Sequence, residues 1–219
     1  GMRNSPAMTP QRYRRTVRML DASARYCWHG RSRYSSANNH LIGELAGLVT
    51  VHLIFPELSE PARLYRAALG TLAAESQRQI LPDGAGSEQS ISYQLFTGEL
   101  LAIVVALLRL GGEIVPTQLT AALDRSAQYL CTVVGSDDPD PRNGDDDDGF
   151  AVRFGAEPKR TVREHLRILA AVTGHPSAAR YGRPTLAATW IAAALGTNLT
   201  EIGAGIGGLP MIEQTHGEF

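Results

Sequence analysis

Two short stretches of the sequence gather amide, imidazole, carboxylate and phenol side chains directly before long apolar runs. The first reads "ANNHLIGELAGL" and the second "GSEQSISYQLF". Amides and carboxylates bind polar or anionic groups, and a phenol or an imidazole within reach can transfer a proton. The side chains concerned are Asn38, Asn39, His40, Glu88, Gln89, Ser90 and Tyr93. Their types predict a binding site with proton-transfer chemistry, provided that the fold brings the two stretches together.

Both stretches mark the start of a predicted helix, where the first backbone N–H groups lack partners within the helix. Tyr93 follows Gln89 and Ser90 by about one helical turn, so these three side chains can share one helix face. Polar groups at two helix starts favour an anionic ligand through the exposed N–H groups and the helix dipole. Simpler roles stay open, because an Asn here is an ordinary N-cap and a tyrosine in an apolar helix is often a core residue.

Apolar residues at helical spacing dominate the elements that must position these side chains. Thr9 and Pro10 predict the start of the first helix, and Gly30 predicts its end. Further helices are predicted at residues 39–55, 59–80, 90–110, 117–134, 159–173, 177–181 and 184–195. The string "FAVRFG", after an acidic loop, is typical of a short extended piece. We therefore predict an all-α fold.

Composition bounds the class of protein. With 219 residues, 43% of them hydrophobic, the chain can build one sizeable core and is most simply a single domain. The strongest apolar run, residues 100–108, is short and ends at Arg109, which argues against a membrane span. Cys27 and Cys131 lie far apart with no metal or redox spacing, so we expect two buried free thiols.

The charges are unevenly placed although their sum is −1. Residues 1–40 hold eight arginines and one aspartate, whereas residues 136–149 hold seven aspartates and one arginine. The basic end suits either a polyanion or a solvated helix face, but sparse aromatic residues and the near-zero sum argue against a nucleic-acid binder. The acidic loop lacks the EF-hand spacing, so we predict a solvated, helix-capping or cleft-edge loop and no metal or cofactor.

Five motifs, in their order and spacing, resemble the helical domain of the heparinase II/III family of polysaccharide lyases. They are "NNHLIGELAGL", "FPEL", "ESQRQILPDG", "EQSISY" and "GDDDDG", and the resemblance extends over residues 35–175. It implies an incomplete α/α toroid built of antiparallel helix pairs, followed by a β-sandwich domain. The implied reaction is β-elimination in a uronic-acid polysaccharide such as heparan sulfate or alginate. A bacterial, periplasmic or secreted setting is also implied, while the sequence itself leaves the compartment open, the cytoplasm included.

The resemblance further implies roles for individual residues. Asn39, with His40 beside it, falls where the family neutralises the uronate carboxylate, and Tyr93 falls where it has its catalytic tyrosine. The other positions expected to bind substrate are Asn38, Arg78, Gln79, Glu88 and Gln89. The competing function is a non-catalytic module that binds an acidic carbohydrate or serves in assembly.

The resemblance also suggests how the chain is organised. We expect a basic N-terminal helix in residues 1–34 packed on a toroid of residues 35–200, and a Gly-rich tail or linker in residues 201–219. The β-sandwich, with the family's further catalytic histidine, would then be a partner domain outside this chain.

The histidines of the chain offer no obvious replacement for that residue. We expect His52 to be a hydrogen-bonded core residue within an apolar helix, and His165 and His175 to lie on helix surfaces. His216 belongs to the predicted tail.

Overall fold

The structure, a computed structural model, describes residues 5–134, 139–146, 149–151, 153–156 and 160–204. Over these ranges the chain forms nine α-helices, one 3-10 turn at Tyr34–Ser36 and no strand. The helices are α1 Pro10–His29, α2 Asn39–Ile54, α3 Ser59–Gln79, α4 Ile91–Leu110, α5 Thr117–Val133, α6 Val162–Thr173, α7 Pro176–Tyr181, α8 Leu186–Leu195 and α9 Leu199–Ala204. The predicted all-α class is confirmed, and the described part of "FAVRFG" is not a strand.

The helices pack in two layers. In one layer α2, α4, α6 and α8 contact each other in turn, and in the other α1, α3, α5, α7 and α9 do the same. The layers are joined by contacts such as those of α2 with α3 and of α4 with α5. Alternate helices along the chain therefore share a layer, and α1 packs on both α2 and α3.

Local capping signals explain where several helices begin and end. Thr9 accepts a hydrogen bond from the Arg12 N–H at 3.3 Å, Pro10 occupies the first helical position, and Gly30 caps the end of α1, as predicted. Helix α6 begins at Val162, three residues later than the sequence indicates, because Thr161 and Glu164 form a reciprocal capping box. The start of the predicted tail is also ordered, since residues 201–204 belong to α9. The rest of it, His216 included, lies outside the described residues.

Helix α4 is the central core helix, with twelve of its twenty residues buried. By length and composition it could cross a membrane, but its most apolar 18-residue window is 67% buried inside the protein. A helix that is apolar all round suits either a membrane or a protein core, and α4 packs against α2, α5, α6 and α8. The packing thus accounts for its apolar sequence.

The two cysteines are free but only half-buried. Burial raises the pKa of Cys131 to about 12 and raises that of Cys27 as well, with the charge of Glu44 adding to the effect. Neither thiol is therefore activated at neutral pH.

Candidate functional site

The start of α2 is capped from outside by a carboxylate. Asn39, the first residue of α2, is buried and donates its backbone N–H to Oε1 of Glu88 at 3.0 Å. Its side-chain Nδ2 lies 3.1 Å from Oε1 and 3.0 Å from Oε2 of the same carboxylate. Asn38 occupies the N-cap position, but its side chain makes no capping hydrogen bond. The sequence predicted that an asparagine side chain would cap α2. In the structure the carboxylate of Glu88, 49 residues away, caps it instead.

Gln79, the last residue of α3, joins the same region. Its Nε2 donates to the Ala37 carbonyl at 3.0 Å, just before α2, and its Oε1 accepts from the Ser87 hydroxyl at 2.9 Å. The Ser87 N–H also donates to the Gln79 carbonyl at 2.8 Å. Gln79 therefore ties the end of α3 to both polar stretches.

The start of α4 brings in the phenol. The Ser90 hydroxyl accepts the Tyr93 N–H at 3.3 Å and caps the helix, while Gln89 takes a left-handed conformation with φ of 53° at the turn into it. The half-buried Tyr93 lines a small pocket, about 10 Å³ in volume, together with Gln79 and Glu88. That volume is well below the size of a sugar ring.

Gln94, also at the start of α4, is a structural residue that the sequence did not single out. Its side chain is buried, accepts the Gly86 N–H at 3.0 Å and donates to the Gly84 carbonyl at 2.9 Å and the Ser126 hydroxyl at 3.0 Å. Its position in the first turn of α4, one residue after Tyr93, was the feature of the sequence that could have identified it. The turn that carries Glu88 is held in place through these bonds.

The fold brings together part of the predicted site. Asn39 bonds Glu88, and Glu88, Gln79 and Tyr93 line one pocket. His40 and Gln89 are exposed, and neither is among the residues that line this pocket. Arg78 has a side chain 72% exposed and forms an ion pair with Glu75 one turn earlier on α3. The expected role of Arg78 in lining a cleft thus has no support in its contacts.

The acidic loop docks on the start of α4. The Ser90 hydroxyl donates to the Asp145 carbonyl at 2.5 Å, and the Asn143 amide donates to the Gln89 carbonyl at 2.9 Å. Gly144 lies between them with φ of 68°. Contact with a helix start agrees with one of the three predicted alternatives, a helix-capping loop, and residues 147 and 148 lie outside the described part.

A larger cavity of about 600 Å³ lies between this loop and the starts of α4 and α6. Its lining includes Ser92, next to Tyr93, and carries charges of both signs, from Asp140, Asp145 and Asp146 and from Arg142 and Arg160. The volume suits a small ligand, but the three aspartates disfavour an acidic one. Among the described residues, no group of three or more His, Cys, Asp or Glu side chains is placed to hold a metal ion.

We expect Gly144→Ala to release this loop. A Cβ at Gly144 would lie 2.7 Å from the Gln89 carbonyl oxygen and 2.8 Å from Ser90 Cβ, in addition to the cost of a left-handed conformation. Cleavage by trypsin after the exposed Arg142 should become several-fold faster, as followed by gel and mass spectrometry.

Gly112→Ala is the matched control for that prediction. Gly112 has nearly the same φ, 69°, but a Cβ there meets nothing within 4 Å. Equal rates of cleavage at Arg142 in the two variants would contradict docking of the loop through Gly144.

A buried ion pair lies beneath the cavity. Arg160 Nε donates to Glu99 Oε1 at 2.5 Å, and the two side chains are 3% and 4% exposed. Glu99 Oε2 accepts the Ala151 N–H at 3.0 Å, and Arg160 also donates to the Thr185 hydroxyl at 3.1 Å. This network joins α4 to the segments before α6 and α8.

Three histidines differ from expectation. His165 is fully buried rather than on a surface, and neither ring nitrogen has a hydrogen-bond partner among the described residues. Burial, aided by the charge of Arg160, lowers the pKa of His165 to about 3. His175 is also buried and caps α7 by accepting the Ala178 N–H at 3.2 Å. His52 is half-buried against the Tyr65 ring, and its buried Nδ1 lacks the hydrogen bond expected of it.

The comparison with protein families decides the relationship. A family model described as Heparinase II/III N-terminus matches residues 2–149, which are 148 of the 219 residues. The chain belongs to this family. Membership places it in a polysaccharide lyase context, with a polysaccharide as the suggested substrate. No curated protein and no solved structure gives a significant match to the chain.

The heparinase II/III match includes α1 to α5, both polar stretches and the acidic loop of residues 136–149. It begins before the resemblance noted in the sequence and ends earlier, so α6 to α9 lie outside it. The basic helix α1 is therefore part of the family's N-terminal region.

Proposed function

We propose that the chain is the helical part of a lyase that cleaves a uronic-acid polysaccharide by β-elimination. The C5 proton of a uronate becomes acidic only when the adjacent carboxylate is neutralised, so the enzyme must bind that carboxylate and stabilise the developing enolate. Asn39, with His40 beside it, supplies N–H donors for this, and Tyr93 transfers the proton as base, acid or both. A β-sandwich partner domain adds the further histidine to the full site, and the rate of the chain alone is the part that Asn39 and Tyr93 supply.

One observation carries this proposal: residues from the two distant polar stretches meet. Asn39 is hydrogen-bonded to Glu88, and Glu88 shares a pocket with Gln79 and with Tyr93, whose side chain is half-buried. An amide bonded to Glu88 and a tyrosine that lines the same pocket as Glu88 are the pair of residues that the reaction needs. Gln79 and Glu88 orient these groups, and Asn38 and Gln89 contact the sugar.

The two helix layers support the finer assignment of the fold. We propose that they form an arc of an α/α toroid, with α2, α4, α6 and α8 inside and the odd-numbered helices outside. Both polar stretches begin helices of the inner layer, α2 and α4, which contact each other. The substrate would then bind at one end of this inner layer.

Tyr93→Phe tests the chemistry. Incubation of the chain with alginate, heparan sulfate and other uronate polymers should give the ultraviolet absorbance of an unsaturated uronate. The Tyr93→Phe variant should be slower by about a hundredfold or more, because proton transfer contributes on that scale.

Tyr65→Phe is the matched control. The Tyr65 hydroxyl is buried without a hydrogen-bond partner, so its removal should leave the rate and the fold unchanged. Product formed at an undiminished rate by Tyr93→Phe would end the assignment of Tyr93.

A second function, binding without cleavage, has its own observation. The Asn39 amide is already engaged by Glu88, and the pocket at Tyr93 measures about 10 Å³. A binding or assembly module would retain uronate polymers in a binding assay and release no unsaturated product. The same two assays therefore separate the two functions.

A further inference from the structure

The outward face of α1 carries a row of exposed arginines. Arg12, Arg15, Arg18 and Arg25 are all exposed, and Arg14 lies at the margin of the row. Steps of three and seven residues place these side chains on one side of a helix. From Arg12 to Arg25 the row is about 20 Å long, at the usual rise per residue of an α-helix.

Among the described residues, few acidic side chains balance these charges. Asp21 is the one acidic residue of α1, and its Oδ2 lies 3.5 Å from Arg25 while its Oδ1 accepts the Glu60 N–H at the start of α3. Arg12 donates to the Ala7 carbonyl, which leaves its charge uncompensated. In the part of the chain that the structure describes, no acidic side chain pairs with Arg14, Arg15 or Arg18.

The arginine row has no role in packing the helix. Helix α1 turns its opposite side to α2 and α3, with Ala24 buried there and Val17, Leu20 and Trp28 half-buried. Like charges three and four residues apart destabilise a helix. The row therefore weakens α1 unless a negatively charged partner covers it.

The same face has an apolar component. Met19 is 59% exposed and Tyr26 is 80% exposed, and both lie between the arginines on the outward side. A partner that fits must combine repeated negative charge with apolar patches, as a uronic-acid polymer does through its carboxylates and the C–H faces of its rings. Duplex DNA offers phosphates but covers its apolar base faces by stacking.

The two pockets at the candidate site fit such a polymer less well. Glu88 lines the pocket at Tyr93, and three aspartates line the large cavity. An acidic polymer that enters the site must therefore be drawn there against local negative charge. A separate basic surface would supply that attraction.

We infer that the outward face of α1 is a second, non-catalytic binding surface for the acidic polysaccharide, separate from the site at Asn39 and Tyr93. The identity of the polymer rests on the proposed function. The surface holds polymer on the protein by charge and contacts no reacting atom.

A binding experiment with the whole chain tests this surface. The probes are alginate and heparan sulfate, with affinity measured at increasing salt. Combined Arg12→Gln, Arg15→Gln and Arg18→Gln substitution should weaken binding by about tenfold or more and flatten the salt dependence, since fewer counterions are released. Glutamine keeps the helix propensity of arginine, so α1 should remain folded by circular dichroism.

The matched control removes three exposed arginines elsewhere, through Arg63→Gln, Arg66→Gln and Arg180→Gln. It changes the net charge equally and should bind nearly as the unmodified chain does. Equal loss in both variants would overturn the inference, as would failure of the unmodified chain to bind either polymer. Tighter binding of duplex DNA or of anionic phosphatidylserine vesicles than of either polymer would overturn the choice of partner.

The outcome is separable from the lyase proposal. Absent cleavage with intact, arginine-dependent binding would reject the lyase and keep the surface. If the three α1 substitutions changed neither cleavage nor binding, the lyase would stand and the binding surface on α1 would be rejected.

Discussion

Replacing Glu99 with glutamine should lower the free energy of unfolding by about 3–5 kcal/mol, the usual cost of breaking a buried ion pair. Glu99 and Arg160 are 4% and 3% exposed, so water cannot replace the lost partner. The guanidinium of Arg160 would keep its bond to Thr185 and its place over the Phe150 ring, 5.0 Å from the ring centre, but lose its counter-charge. Urea unfolding followed by circular dichroism measures the loss.

A surface pair gives the contrast. Glu60 lies 2.9 Å from Arg63, with side chains 20% and 59% exposed, and Glu60→Gln should cost much less than Glu99→Gln, because solvent screens a surface pair. The double replacement Glu99→Leu with Arg160→Met should recover most of the stability lost in Glu99→Gln, because it leaves no unpaired charge. A Glu99→Gln loss as small as that of Glu60→Gln would show that the pair is not a core element.

Acid should destabilise the protein through His165. This histidine is fully buried and its pKa is lowered to about 3, whereas an unfolded histidine titrates near its ordinary value. Between those two values the unfolded state binds a proton that the folded state does not, so the free energy of unfolding falls as the pH falls. The slope is about 1.4 kcal/mol per pH unit, which gives a loss of about 2 kcal/mol at pH 5.

His165→Met removes the titrating group and keeps a flexible side chain of similar size. The His165 ring packs closely on Gly98, since a Cβ added at Gly98 would lie 2.7 Å from its Nε2. Between pH 7 and pH 5 this variant should lose about 2 kcal/mol less than the unmodified chain. His29→Gln, at an exposed position, should keep the full dependence on pH. Parallel stability profiles for the unmodified chain and His165→Met would reject the assignment.

Local signals were sufficient for most helix boundaries. Thr9, Pro10 and Gly30 act on neighbours within one turn, so the sequence predicted α1 to the residue. Helix α6 was predicted too early, because the capping box of Thr161 and Glu164 fixes a later start. The layering of the helices depends on contacts between distant segments, and periodicity does not specify them.

The candidate site was predictable in its parts but not in its connections. The two polar stretches were visible as residue types at helix starts, yet the bond between Asn39 and Glu88 spans 49 residues. The sequence contained a missed signal for His165, since Val162, Leu166 and Leu169 place it on the buried stripe of α6. His175 precedes Pro176 at a helix start, which is a capping position.

The carboxylate of Glu88 already accepts the side-chain amide of Asn39, the group proposed to bind the substrate carboxylate. A uronate that takes up this amide must exchange with an internal competitor, and its apparent affinity falls by the fraction of time that Glu88 stays bound. The Glu88 carboxylate also accepts the Asn39 N–H, the first of α2. Replacement of Glu88 by a uronate would therefore also break the hydrogen bond between the turn before α4 and the start of α2. Recognition of the sugar acid at Asn39 would thus be coupled to a loosening between two helices of the core.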